Sequence, residues 1–280
     1  MQKEIKNAVF KGANGKNSLY DLAIPNQWNG KLIIFIHGYM GYKDWGAWNL
    51  VSDYFSNQSF GFLKYNASHN GGTIENPIDF DNLDAFAENN YSKEVHDFES
   101  IIQVVQEEFE ISPDIYIIGH SRGGGIALLQ SDHNSVKKIA TWAAICDIEK
   151  RFPTGDDLKQ WKEKGVYFRK NGRTKQQMPH NYSQIENFVE NKSRLDIKKH
   201  TVNSSTPTIV IHGNEDTSVS IDEGKTIAEW LNNDLVIIQN TQHTFDSKQP
   251  WESTSLPPKL KEVCEKTLLF FREEKITQSA

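Results

Sequence analysis

Two hundred and eighty residues leave room for one large domain or two small ones with a sizeable core, which excludes mini-scaffolds and short repeat units. Apolar residues make up 37% and charged residues 24%, the usage of a folded globular chain and not of a disordered one. With 31 Lys+Arg against 37 Asp+Glu the net charge is −6, so no overall cationic field draws the chain to nucleic acid or an anionic membrane.

The first residues, MQKEIKNAVF, contain no apolar signal core, and no window approaches the roughly 18 apolar residues of a membrane span, so a cytoplasmic location is expected. Cys146 and Cys264 belong to no CxxC or Cys/His cluster; both read as small core residues, with neither a disulfide nor a zinc site expected.

In chain order, two weakly alternating runs at 5–10 and 19–24, separated by the glycine-containing turn 12–15, predict an antiparallel hairpin. Short Ile- and Val-rich runs follow at 32–36 (LIIFI), 61–65, 115–118 (IYII), 139–144, 208–211 (TIVI) and 235–238 (LVII). Their near-continuous apolarity predicts strands buried on both faces. Between them Val95, Phe98, Ile101, Ile102, Val105 and Phe109 share one helical face, and further helices begin near 126–129 and 227–231. Strands alternating with helices predict an α/β fold with a mostly parallel twisted sheet. The connection 147–207 is far longer than a crossover needs. From 147 to 206 it holds 13 Lys+Arg and 8 Asp+Glu, net +5, where the rest of the chain carries −11. Residues 156–164 and 182–192 read as short polar helices, so a helical cap or lid at 147–207 is expected over a core of 1–146 and 208–280.

Gly119-His120-Ser121-Arg122-Gly123 fits G-x-S-x-G directly after the run 115–118 and before the helix-forming Ile126, Ala127, Leu128 and Leu129. A strand, a sharp turn and a helix are the setting in which a strained turn lifts a nucleophilic hydroxyl out of a sheet. With this motif the chain resembles the α/β-hydrolase superfamily over nearly its whole length. The GHSRGG turn, His37-Gly38-Tyr39-Met40-Gly41 and the insertion look most like bacterial carboxylesterases related to prolyl oligopeptidases, dienelactone hydrolases and cinnamoyl or feruloyl esterases.

The resemblance implies a nucleophile at Ser121 and a triad in chain order Ser, Asp, His. Of the nine histidines only His243 follows an acid placed after the run 208–211, so it is the implied base. In His212-Gly213-Asn214-Glu215-Asp216 the implied acid is Asp216, with Glu215 and Asp147 as rivals and a solvated loop carboxylate as the plain alternative for each. Main-chain N–H groups of Tyr39 and Arg122 are the implied oxyanion donors, and His37 a structural histidine. The implied reaction is ester hydrolysis through an acyl-enzyme, without cofactor or metal, on a small-molecule ester. A serine peptidase or aminopeptidase, an acyltransferase, and a receptor without turnover remain alternatives.

Several features stay two-sided. Tyr39, Tyr42, Trp45 and Trp48 read either as a pocket lining or as core. His69-Asn70-Gly71-Gly72 is a substrate contact or a plain turn, and the basic insertion attracts a carboxylate-bearing substrate or is a solvated face. His133, His180 and His200 show no ligand spacing and read as surface residues.

Overall fold

Apolar residues placed at every position of a strand demand cover on both faces, and the computed structural model, which describes residues 3–110 and 112–273, supplies it. The hairpin β1 (Lys3–Lys11) and β2 (Asn17–Ile24) is antiparallel, and its turn at 13–15 holds Asn14 at φ 56°. Then follow β3 (Lys31–Ile36), α1 (Trp48–Ser56), β4 (Gly61–Tyr65), α2 (Leu83–Ala87), α3 (Tyr91–Glu108), β5 (Asp114–His120), α4 (Arg122–Leu129) and β6 (Val136–Trp142). After a long excursion come β9 (Thr208–Gly213), α8 (Ile221–Trp230), β10 (Leu235–Ile238) and α9 (Pro258–Arg272). These strands form one eight-stranded sheet in the order β1-β2-β4-β3-β5-β6-β9-β10, parallel from β4 to β10. This is the α/β-hydrolase fold.

Alternation along each strand divides the core in two. Leu32, Ile34, Ile36, Ile115 and Ile117 point into one cluster with α3, α4 and α8, while Ile33, Phe35, Tyr116, Ile118 and Trp142 point into the other with α1 and α9. Each such side chain, fully removed from water, contributes roughly 1.5–3 kcal/mol. Charge also enters a buried strand: Lys64 in β4 is 3% exposed, and its ammonium meets Asp21 at 2.5 Å and also Asp44. Lys43 joins the same group at 2.8 Å from Asp21 and 2.6 Å from Asp44, so two buried cations are matched by two carboxylates. Both cysteines are buried and free. Among the described residues no helix is long and apolar enough to cross a membrane.

The excursion between β6 and β9 differs from an all-helical cap. It holds α5 (Gly155–Lys164) and α6 (Ser183–Glu190), close to the two expected helices, and between them a hairpin of β7 (Val166–Lys170) and β8 (Gln177–Asn181). Asn171-Gly172 in its connection is a hairpin signal of the kind alternating runs need. The last stretch, α7 (Ile197–Val202), is a crossover helix of the core layer: Leu195 and Ile197 lie in the same cluster as α4 and α8. Polar ties hold the excursion down. Gln176 Nε2 donates to the Phe80 carbonyl at 3.2 Å, Gln184 Nε2 to the Ala87 carbonyl at 3.2 Å, and Arg151 pairs with Glu223 at 2.6 Å.

Candidate active site

Parallel strands deliver their carboxyl ends to one edge, where β5, β9 and β10 each release a loop. β5 runs into Ser121, whose φ of 57° and ψ of −120° put it in a backbone region that a non-glycine residue enters only under constraint. The constraint is close packing: a Cβ on Gly123 would stand 2.2 Å from the Ile36 carbonyl oxygen, so only glycine lets α4 start against β3.

His243, in the loop after β10, brings Nε2 to 2.8 Å from Ser121 Oγ and Nδ1 to 2.7 Å from Asp216 Oδ2, in the loop after β9. Asp216 is fixed from every side. Oδ1 accepts from the main-chain N–H of Ser218 at 2.8 Å and Val219 at 3.0 Å, and His212 Nε2 lies 3.2 Å from Oδ2. Burial works to raise its pKa, but the hydrogen bonds from His212 and His243 and the charge of His243 outweigh burial and hold Asp216 well below the usual carboxylate range. An ionised carboxylate accepts only, so Nδ1–H of His243 donates to it and Nε2 faces the serine as acceptor. His120 supports the same imidazole: burial pushes its pKa down to about 3, and its Nε2–H donates to the His243 carbonyl at 2.9 Å, with the rings 4.8 Å apart.

The loop after β3 closes over the serine. A Cβ on Gly38 would lie 2.9 Å from the Ser121 Cβ, which places Tyr39 beside Ser121. Arg122 is the first residue of α4, where a main-chain N–H has no partner within the helix. His37 lies behind the loop. Its Nε2 accepts from the Ala67 N–H at 3.0 Å, which leaves Nδ1–H to donate to the Gly38 carbonyl at 2.9 Å.

Ser121 and His243 line two cavities. One, of about 270 Å³, reaches under the excursion to Arg122, Arg151, Arg169, Trp161 and His180; among the described residues no acidic side chain lines it. The other, of about 390 Å³, lies towards Met40, Trp45, Trp48, Arg173 and Thr244. Of the aromatic group, Trp45 and Trp48 therefore line a cavity, Trp48 also packs in the core, and Tyr42 is buried at 1% exposure.

The remaining candidates fall elsewhere. Glu215 is exposed, and Asp147 Oδ1 accepts from the Glu149 N–H at 2.8 Å, away from His243. His69 is buried against Ser68 Oγ at 2.8 Å and lines neither cavity. His133 and His200 are half-buried, but His180 is a correction to the surface reading: it is 7% exposed and its Nε2 is hydrogen-bonded to the phenol hydroxyl of Tyr39 at 2.8 Å. Burial pushes the Tyr39 phenol up to about 12 and the His180 imidazole down to about 4, the latter with help from Arg169 and Arg122, so the pair is neutral. His120, His212, His180 and Arg169 carry no motif that separates them from scaffold in one sequence. Their roles come from folding. Among the described residues no group of three His, Cys, Asp or Glu could hold a metal ion.

A family model described as the prolyl oligopeptidase family matches residues 64–250. No curated protein matches the sequence. Among solved structures, the chain is similar to the ferulic acid complex of Est1E from Butyrivibrio proteoclasticus, at 16% identity over 94% of this chain and 98% of that one, TM-score 0.71. It is also similar to dienelactone hydrolase from Anabaena variabilis, at 15% identity over 96% and 97%, TM-score 0.61. An acylaminoacyl peptidase from Pyrococcus horikoshii aligns at 15% identity over 98% of this chain but 42% of its own, TM-score 0.64.

Proposed function

Since the chain belongs to the prolyl oligopeptidase family and is a serine hydrolase, we propose that it cleaves carboxylic esters of small molecules through an acyl-enzyme formed on Ser121. The hydrogen-bonded line Ser121 Oγ, His243 Nε2, His243 Nδ1, Asp216 Oδ2, open to two cavities, carries this reading.

Ser121 Oγ attacks the ester carbonyl while its proton passes to His243 Nε2, and the carbonyl π pair moves onto oxygen. The main-chain N–H groups of Tyr39 and Arg122 receive that oxyanion. Collapse expels the alkoxide, which takes the proton from His243 and leaves as the alcohol. Water then repeats the sequence on the acyl-enzyme and frees the carboxylic acid. Asp216 holds the tautomer of His243 and stabilises its charged form.

Amide substrates meet the same machinery. A peptidase that reads a free amino terminus needs carboxylates to hold it, and the cavity beneath the excursion offers arginines instead. Hydrolysis of p-nitrophenyl esters from short to long acyl chains, beside two aminoacyl-anilides, tests the reading with wild type and Ser121→Ala. Ester turnover that disappears in the variant is expected. Turnover of the anilides with no ester activity would place the protein among peptidases.

A further inference from the structure

Three arginines, Arg122, Arg151 and Arg169, line the cavity beneath the excursion. Arg122 is 9% exposed, its guanidinium carbon 3.8 Å from the centre of the Tyr91 ring, with Nη2 2.8 Å from Glu94 Oε1 in an ion pair that is not aligned as a hydrogen bond. Arg151 pairs with Glu223 at 2.6 Å. Arg169 has no carboxylate partner among the described residues; its Nη2 donates to the Arg151 carbonyl at 2.7 Å. Three cations against two carboxylates leave one positive charge on the wall. The Nε–H groups of Arg122 and Arg151 are, in addition, buried without a hydrogen-bond partner. A guanidinium has five donors in a planar fork, and buried donors left unpaired are costly.

We propose, building on the esterase reading, that this cavity binds a carboxylate of the substrate, so that the preferred ester carries one negative charge a few carbons from its scissile carbonyl. One net positive charge matches one carboxylate and not a phosphate dianion. Arginine suits the task because its fork pairs with a carboxylate through two parallel hydrogen bonds. A volume of about 270 Å³ limits the charged arm to a short one. Arg122 would thereby serve the substrate with its side chain and the oxyanion with its main chain.

The test compares monoethyl glutarate and O-pentanoyl glycolate, which place the charge on the acyl and the alcohol side, with neutral ethyl pentanoate, following acid release at low salt. The expected kcat/KM for at least one charged ester exceeds the neutral value on the order of tenfold, as a charged hydrogen bond implies. Arg169→Gln removes that preference, Arg169→Lys retains part of it, and added salt reduces it in wild type. In parallel, calorimetry of glutarate with Ser121→Ala is expected to give binding that Arg169→Gln abolishes in the same background. Turnover of all three esters with no charged preference overturns the subsite and leaves the esterase reading standing. A charged preference that survives Arg169→Gln also overturns it, because the recognising charge then lies elsewhere. If no ester turns over, the esterase reading fails, and glutarate binding alone decides the subsite.

Discussion

Ser121 faces two walls of different origin. The wall made by the sheet and its loops is built from main chain held at fixed distances: the left-handed serine, Gly38 pressed against it, and Asp216 with every acceptor occupied. The wall made by the excursion is built from long side chains, arginines and a histidine, tied to the core by a few polar contacts. Main chain fixes where bonds break, because a displaced amide or imidazole loses transition-state contact. On the proposed reading, long side chains decide what enters, because a charge selects a partner over several ångströms and tolerates adjustment. The two walls meet at Tyr39, whose main chain belongs to the first and whose hydroxyl is held by His180 of the second.

Breaking the first wall has the largest expected effect. Asp216→Asn is expected to lower kcat about 10⁴-fold, the cost of losing the correct imidazole tautomer, while the neighbouring Glu215→Gln changes it little. Ester kinetics on the two variants check this, and equal losses would return the acid to the open choice between adjacent residues. At the meeting point the effect is smaller. His180→Leu is expected to lower kcat on the order of tenfold with little change in KM, because Tyr39 loses the partner that fixes its loop. His180→Gln, which keeps an acceptor, should restore most of the loss. A change confined to KM, or no rescue by Gln, would mean that His180 packs without positioning.

Acid should act most gently and on both walls together. Burial lowers the pKa of His37, takes those of His69 and His180 down to about 4 and that of His120 down to about 3, so each is neutral in the fold and binds a proton more readily when unfolded. Their contribution is present above the unfolded value near 6.5 and is lost as pH falls towards the folded values. Asp97, raised to about 6 by burial, acts in the opposite sense: its folded form favours the proton, so acidification from about 6 to about 4 favours folding there. Four groups against one predict a melting temperature that falls between pH 7 and pH 5, with a shallower slope in His180→Gln. A flat or rising profile would show that these imidazoles accept protons within the fold.

What could be read beforehand follows the same division. The strands were legible because burial on both faces writes continuous Ile and Val runs, and Ser121 because close packing demands glycine around it. Even there the edges shifted: the run 139–144 became β6 (Val136–Trp142), since Ala143 turns out of the sheet at φ 49°. Chain order singled out His243, whereas Asp216 and Glu215 differ by one position and only the fold turns one inward and leaves the other in water. The excursion was less legible. No residue of β7 is fully buried, so it reads VYFRK, a run of only three apolar residues that ends in two cations. His180 looked like any polar histidine because its burial depends on Trp161 and Tyr167 folding around it, contacts that no periodicity records.

Cys146, Asp147 and Ile148 at the start of the excursion border the same small surface cavity as Phe188, Lys192 and Leu195 at its end. The polypeptide thus leaves the core and returns to it at one place, and α7 resumes the ordinary crossover to β9. A segment anchored in this way is exchangeable as a cassette. Replacement of residues 149–194 by a loop of different length or charge leaves the pairing of β6 with β9 untouched, as insertions at adjoining ends generally do. On the proposed reading, selectivity can therefore be inherited, lost or recombined apart from Ser121, His243 and Asp216, with the contact of His180 to Tyr39 as the point where an exchange would also reach the reaction.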